Sequence, residues 1–111
     1  MVAPIRPQRG EIWLISLDPT MGSEVQKTRP CLVVSPPEMH DHLRTVIVAP
    51  MTSKGHDAPF RPRILFQDVH GLILLDQLRS VDKLRLVKRL GTASDEELSA
   101  ALAVLREAFA W

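Results

Sequence analysis

The stretch from residue 11 to residue 35 constrains the fold most, because it reads as a strand, a polar loop and a second strand. The sequence EIWLISL at 11–17 carries alternating apolar residues, which is typical of a strand, and it ends at Asp18-Pro19. The second strand, at 30–35, begins with a proline, and its unbroken LVV predicts burial on both faces. A loop mounted between two strands is a usual place for binding and catalytic residues.

The middle of the chain predicts further short strands. Apolar runs separated by proline, glycine and polar residues place them at 45–49, 63–66, 72–75 and 88–92. The first of these is expected to end at Pro50, and a turn is expected at 68–71. Residues 38–44 indicate either a helical turn or an exposed loop, and Ser80 is expected to cap a short helix that reaches about Leu86.

The C-terminal segment predicts one clear helix. Ser94 and Glu97 have the spacing of a capping box. An apolar stripe at helical spacing follows, made of Leu98, Ala101, Leu102, Leu105 and Phe109. Together these elements indicate an α+β, mostly β fold, in which a bent sheet or half-open barrel carries the helix on one side.

Length and composition are those of an ordinary globular protein. The 111 residues predict a single domain over 1–111, with 1–8 as a loose, flexible arm because Pro4 and Pro7 oppose regular structure. No apolar run approaches about 18 residues, and the first residues lack the apolar core of a signal peptide, so neither a membrane span nor a leader is predicted. A single cysteine, Cys31, excludes an internal disulfide and fits a reducing cytoplasm.

Basic residues outnumber acidic ones between residues 54 and 89, which predicts either a positive face or scattered solvated charge. This region begins in the loop Thr52-Ser53-Lys54-Gly55. Such a loop suits a phosphate, because hydroxyl groups donate hydrogen bonds and lysine supplies positive charge. An ordinary Thr-Ser turn is the simpler alternative.

Two further polar clusters are candidates for a site. Asp76 and Gln77 follow a predicted buried strand, with Arg79 close behind, and they form either a structural hydrogen-bonding device or a functional site. His40 and His42 have a spacing that metal ligands use on a strand, but no third ligand lies near them in the sequence. We therefore predict no metal site.

Three motifs of the chain occur in the order and spacing of one known family. They are RGEIW at 9–13 leading into Gly22, Glu24, Arg29 and Pro30; P-x-T-S at 50–53; and L-x-D-Q-x-R-S-V-D at 74–82. Each motif is weak alone, but together they cover roughly residues 9–110. The chain resembles the MazF/PemK family of toxin endoribonucleases.

The resemblance implies an SH3-like small barrel of the plasmid-toxin type with a C-terminal helix, working as a homodimer. It implies a cytoplasmic toxin of a type II toxin–antitoxin system, an mRNA interferase that needs no metal or other cofactor and is neutralised by a cognate antitoxin. Such an enzyme cleaves single-stranded RNA at specific sequences through attack by the 2′-hydroxyl. The products carry 2′,3′-cyclic phosphate and 5′-hydroxyl ends.

The resemblance also assigns roles to residues of this chain. Arg29 would stabilise the charged transition state, Thr52 matches the family's catalytic threonine, and Glu24 or Asp76 would act as base or read a base edge. Further RNA contacts are expected from Trp13, Ser53, Lys54, Asp76, Gln77 and Arg79. For Trp13 the alternative is a packing or dimer contact, and for Arg29 it is a surface ion pair with Glu24.

Two departures from the family pattern leave part of the mechanism open. Val25 follows Glu24 where many members have glutamine, and Leu74 stands where the PemK branch has an arginine. The main rival is a non-enzymatic toxin of the same fold that acts on a protein such as gyrase. A second rival is an RNA-binding barrel without turnover, whose binding would weaken with salt and survive loss of Arg29.

Overall fold

The computed structural model describes residues 5–111 and shows a curled antiparallel sheet followed by a helix. The strands are β1 (Glu11–Ser16), β2 (Thr28–Val33), β3 (Thr45–Thr52), β4 (Arg63–Phe66), β5 (Val69–Ile73), β6 (Arg79–Asp82) and β7 (Leu86–Thr92). The helices are α1 (Pro37–His42) and α2 (Asp95–Ala108), with 3-10 turns at Leu75–Gln77 and Lys83–Arg85. The strand order is β4-β5-β3-β2-β1-β7, and β6 pairs with β3. The mostly β fold with a C-terminal helix is confirmed.

The central strands bury apolar side chains on both faces of the sheet. Alternate residues of a strand point to opposite faces, so Leu32 joins one apolar cluster and Val33 joins the other. The Leu32 cluster includes Ala101 of α2, while the Val33 cluster is formed without the helix and includes Ile15. The burial on both faces predicted from the LVV run is therefore confirmed.

The predicted capping box of α2 is present. Ser94 Oγ accepts a hydrogen bond from Glu97 N at 3.1 Å, and Glu97 Oε1 accepts one from Ser94 N at 3.0 Å. The second carboxylate oxygen of Glu97 accepts from Leu65 N at 2.8 Å, which ties the helix to β4. Phe109 does not join the predicted apolar stripe, because it follows the last helical residue and is 77 % exposed. No helix within residues 5–111 has the length and apolar character needed to cross a membrane.

The short helix expected at Ser80 is absent, and a strand takes its place. Ser80 and Val81 lie in β6, where Val81 pairs with Val46 and is buried. Asp82 caps the 3-10 turn that follows, by accepting a hydrogen bond from Leu84 N at 2.8 Å. Burial of Val81 in the sheet outweighs the local capping signal of Ser80.

The ends of three other elements also differ from the sequence expectation. β3 continues beyond Pro50, because its last two residues pair with β5. The turn expected at 68–71 is a tight turn at Gln67-Asp68, so β5 begins already at Val69. That strand ends at Ile73, and its predicted last residues enter a 3-10 turn.

The segment at 38–44 contains α1, whose His40 is 3 % exposed. His40 Nδ1 donates to the carbonyl of Pro7 at 2.9 Å, and Nε2 is hydrogen-bonded to Ser35 Oγ. Both ring nitrogens are therefore engaged inside the protein. Residues 1–4 of the predicted arm lie outside the described residues, and its other end is not loose, because Pro7 is buried.

Candidate nucleic-acid cleavage site

The sheet opens where β2 and β3 stop pairing. Their last pair is Cys31 with Pro50. The next pair in this register would set Pro30 against Met51, but proline has no backbone N–H to donate. From Met51 onward β3 pairs with β5 instead, beginning with Ile73. The two strands separate at Pro30 and leave a cleft between them.

A second gap lies on the other edge of β3. β6 pairs with β3 as far as Val48, and β5 pairs with it from Met51, so Pro50 stands between the two ladders. The carbonyl of Pro50 accepts a hydrogen bond from Leu74 N at 2.8 Å on this edge. The N–H and C=O of a strand residue point to the same edge of the strand. Because Pro50 has no N–H, β3 lacks a hydrogen-bond donor at this position of the edge that faces β5 and β6.

The opening at Pro30 is a cleft of about 290 Å³, which we call the Arg29 cleft. Its polar rim carries Arg29, Thr52, Ser53 and Gln67, and its apolar floor is formed by Pro30, Met51, Ile64, Phe66 and Val69. Arg29 and Thr52 each lie two residues beyond the last β2–β3 pair, on the two strands that separate there, and both line the cleft. The structure thus brings together the two residues that the family resemblance marks as catalytic.

The guanidinium of Arg29 is available for a ligand. Its Nε donates to the carbonyl of Gln26 at 2.9 Å, and no carboxylate within residues 5–111 forms an ion pair with it. The expected alternative, a pair with Glu24, does not form, because Glu24 Oε1 accepts from Met21 N at 2.5 Å. Arg29 therefore presents an uncompensated positive charge at the rim.

The gap at Pro50 is a second cleft of about 190 Å³, the Glu24 cleft, which is lined by Glu24, Val25, Pro50, Asp76, Gln77, Leu78 and Arg79. Gln77 Oε1 accepts from Val25 N at 2.7 Å, and Arg79 Nη1 donates to the carbonyl of Leu17 at 3.2 Å. These two side chains hold the β1–β2 loop in place. The interpretation as a structural hydrogen-bonding device fits them, while their exposed faces still line the cleft.

Asp76 forms a bidentate ion pair with Arg61, a partner that the sequence did not predict. Arg61 Nε and Nη2 donate to its two carboxylate oxygens at 3.0 and 2.8 Å. This bidentate hydrogen bonding lowers the pKa of Asp76 from its usual value. A carboxylate with a lowered pKa and both oxygens engaged is a weak base, which favours Glu24 for that role.

We expect Arg61→Ala to lower stability more at neutral pH than in acid. The folded-state pKa of Asp76 is lowered, so the stabilisation is present above its unfolded pKa of about 3.9 and is lost as pH falls through the folded value. The side chains are 30 % and 38 % exposed, so solvent screening limits the effect to at most about 1 kcal/mol. Urea denaturation at pH 7 and pH 3 measures it, with Asp76→Asn as the control that removes the pH dependence. An equal loss at both pH values would contradict the assignment.

The loop after β3 connects the Arg29 cleft to a third opening. Thr52 Oγ1 accepts from Lys54 N at 3.2 Å, and this bond fixes the turn. Ser53 lines both the Arg29 cleft and a neighbouring cleft of about 360 Å³, which also contains Arg63 and His70. The three clefts therefore lie along β3 and its following loop.

Two of the sequence-predicted RNA contacts lie apart from these clefts. Lys54 is exposed on the loop beyond Ser53 and lines none of them. Trp13 packs against the Val33 cluster, and its Nε1 donates to Glu11 Oε1 at 3.1 Å. The geometry favours the packing alternative for Trp13.

Much of the basic surplus between residues 54 and 89 is used within the fold. Arg61, Arg63 and Arg89 form ion pairs with Asp76, Asp57 and Glu11, and Lys83, Arg79 and Arg85 donate to backbone carbonyls. The region thus presents less free positive charge than its composition indicates.

Cys31 follows Pro30 in β2 and pairs with Pro50 of β3. Burial raises the pKa of its thiol to about 12 despite the nearby Arg79 and Arg29. It is therefore protonated at neutral pH and unsuited as a nucleophile. Among residues 5–111, no three His, Cys, Asp or Glu side chains come together as a metal site would require.

Sequence reasoning missed the wall of the Arg29 cleft that β4 and β5 contribute. Gln67 and Phe66 reach the cleft only because β5 of their hairpin pairs with the end of β3. Gly71 is also part of this wall, and a Cβ atom there would stand 2.6 Å from the carbonyl oxygen of Thr52. The two residues between the apolar runs, Gln67 and Asp68, could have indicated a hairpin turn here, but Gln-Asp is not a residue pair typical of such turns.

Comparison with known proteins places this chain and its fold in one family. The family model described as PemK-like, MazF-like toxin of type II toxin–antitoxin system matches residues 8–109. Endoribonuclease PemK of Escherichia coli is 43 % identical over 89 residues, covering 75 % of this chain and 67 % of the relative. Endoribonuclease toxin ChpB of Escherichia coli K12 is 38 % identical over 109 residues, covering 92 % and 93 %.

The solved structures agree with the sequence relatives. MazF from Deinococcus radiodurans superimposes with a TM-score of 0.86 at 25 % identity, covering 97 % of this chain and 100 % of that one. A mycobacterial endoribonuclease in complex with its cognate antitoxin shares the fold, with a TM-score of 0.78 at 19 % identity over 95 % and 98 % of the chains. The chain belongs to the PemK/MazF family of type II toxin–antitoxin toxins, which confirms the resemblance drawn from its motifs.

Proposed function

We propose that this protein is the toxin of a type II toxin–antitoxin pair and an endoribonuclease that cuts single-stranded mRNA at specific sequences in the cytoplasm. The Arg29 cleft carries the proposal, because a guanidinium without an ion-pair partner in the described chain shares its rim with the hydroxyls of Thr52 and Ser53. Two Escherichia coli relatives that are named endoribonucleases support it.

The proposed reaction begins with attack of a ribose 2′-oxygen on the adjacent phosphorus. The 2′-hydroxyl loses its proton, the bond from phosphorus to the 5′-oxygen breaks, and that oxygen takes up a proton. The products carry a 2′,3′-cyclic phosphate and a 5′-hydroxyl. DNA lacks the 2′-hydroxyl and would not be cut.

Three side chains would divide this work. Arg29 binds two phosphate oxygens through parallel hydrogen bonds and stabilises the charge that develops on them, and Thr52 donates to a phosphoryl oxygen. Arginine keeps its proton at any working pH, so another group must act as base. Glu24 is the candidate, because Arg61 engages both oxygens of Asp76. Metal ions and other cofactors take no part in this scheme.

The RNA chain would extend along β3 on both sides of the cut. Ser53 and Lys54 would hold the phosphate on one side. On the other side the RNA would cross the Glu24 cleft, where Asp76, Gln77 and Arg79 present polar groups. Trp13 would support β1 by packing and is not assigned an RNA contact.

We also propose that the protein forms a homodimer and is neutralised by a cognate antitoxin. Structures of MazF with MazE from Deinococcus radiodurans and of the mycobacterial endoribonuclease with its antitoxin support the antitoxin part of this proposal. An acidic antitoxin segment that covers the Arg29 cleft would compensate the charge of Arg29 and block access of RNA.

Incubation of the purified protein with a mixed-sequence RNA in EDTA tests the proposed function. We expect discrete cuts at a recurring sequence, with 2′,3′-cyclic phosphate and 5′-hydroxyl ends identified by end-specific ligation. A DNA of the same sequence is the control and should stay intact. Intact RNA at high protein excess, together with growth arrest in cells, would overturn the nuclease proposal in favour of a toxin that acts on a protein.

A further inference from the structure

The turn between β4 and β5 has an uncommon residue choice. Phe66 pairs with Val69, and the two residues between them, Gln67 and Asp68, have φ angles of +51° and +62°. Two-residue hairpin turns with positive φ at both positions favour asparagine and glycine, because other side chains are strained there. A glutamine in this place is not explained by backbone preference.

Gln67 is one of the residues that line the Arg29 cleft, and its turn neighbour Asp68 is not. The cleft also has an apolar lining, to which Phe66 and the half-exposed Val69 contribute on either side of the turn. The volume of about 290 Å³ is near the lower end for small-molecule sites, which suits one ring system better than a longer segment.

A nucleobase fits this combination of surfaces. Its flat faces can contact the apolar floor, and its polar edge can meet the carboxamide of Gln67, which offers a donor and an acceptor side by side. Arg29 on the same rim would hold a phosphate. The base within reach of Gln67 therefore belongs to a nucleotide beside the bond that is cut.

We propose that Gln67 determines sequence specificity, by reading a base next to the cut whose edge presents one donor beside one acceptor. The inference rests on the proposed nuclease function and deepens it. Gln67 takes no part in proton transfer, so its loss changes which sequences are cut rather than the chemistry of the cut.

Glycine variants of the two turn residues test the proposal. Gln67→Gly removes the carboxamide and keeps the positive φ without strain, so the variant should fold at least as well as the parent. Asp68→Gly makes the same backbone change at the neighbouring position and is the matched control. Each protein is incubated with a random-sequence RNA pool, and the cut ends are sequenced.

We expect Gln67→Gly to keep cutting but to lose about tenfold or more of the preference at one base position beside the cut. Asp68→Gly should keep the parental preference. Gln67→Glu offers only acceptors, so its preference at that position should move toward a base edge with two donors, an outcome that a purely structural role would not produce.

The outcomes separate this inference from the function on which it rests. Cutting by Gln67→Gly with the parental preference at every position would overturn the role of Gln67 and leave the nuclease intact. An equal change in Asp68→Gly would overturn it too, because the hairpin conformation would then be the cause. Absence of cutting by the parent protein would overturn the nuclease proposal itself.

Discussion

Arg29→Ala is expected to lower kcat/KM for RNA cleavage by about 10²- to 10³-fold. The guanidinium would make charge-assisted hydrogen bonds to phosphate oxygens, and loss of one such stabilising group typically has an effect of this size. Arg29→Lys keeps the charge but cannot bond two oxygens in parallel, so its rate should lie between those of the parent and the alanine variant. Initial rates on an oligonucleotide that contains the cut sequence measure both.

The fold should tolerate the loss of Arg29. Its Nε donates to one backbone carbonyl, that of Gln26, and the thermal unfolding midpoint should change little. Arg106→Ala, on the exposed face of α2, controls for the loss of one positive charge and should cleave at the parental rate. A rate for Arg29→Ala within about threefold of the parent would contradict the role assigned to the cleft.

Gly71→Ala is expected to reduce both stability and cleavage. The added Cβ would stand 2.6 Å from the carbonyl oxygen of Thr52, a backbone atom that β3 and β5 hold through the Thr52–Leu72 pair. Relief requires the strands to shift, which costs about 1–3 kcal/mol. Thr52 moves with its backbone, so the hydroxyl proposed for catalysis leaves its position and kcat falls as well.

A second glycine provides the comparison for Gly71. At Gly91 an added Cβ would stand 3.0 Å from the Phe66 ring, which is a side chain and can yield. Urea denaturation should therefore show a smaller loss for Gly91→Ala than for Gly71→Ala. Equal losses would mean that the backbone contact at Thr52 is not the cause.

The parts of the fold that were predictable from sequence depend on contacts between near neighbours in the chain. The capping box at Ser94 is formed within one helical turn, so the four residues from Ser94 to Glu97 contain the whole signal. The segment at Ser80 carries a similar local signal and folds as a strand, because Val81 is buried against Val46, which is far away in the sequence. Local patterns fail where a distant partner supplies more burial than the local alternative.

The same limit applies to the site. The family motifs point to Arg29 and Thr52, because each of these residues lies within a short motif that can be read from its own segment of the sequence. The ion pair between Arg61 and Asp76, and the place of Gln67 in the lining of the Arg29 cleft, depend on segments that no single sequence motif connects. The pairing of β3 with β5 brings these segments into place. The ion pair that makes Asp76 the weaker candidate for the base is therefore visible only in the structure.

The two prolines that interrupt the ladders of β3 have a consequence for how such toxins can diverge. Neither Pro30 nor Pro50 has a side chain that can donate to phosphate or transfer a proton, yet each stands where a cleft begins. The extent of pairing between neighbouring strands thus sets where these two clefts begin, and with it the space available to the RNA in the proposed function. A replacement that restores a missing N–H would allow the ladder to extend and narrow the cleft, so the proposed substrate range would depend on two residues whose side chains carry no polar group.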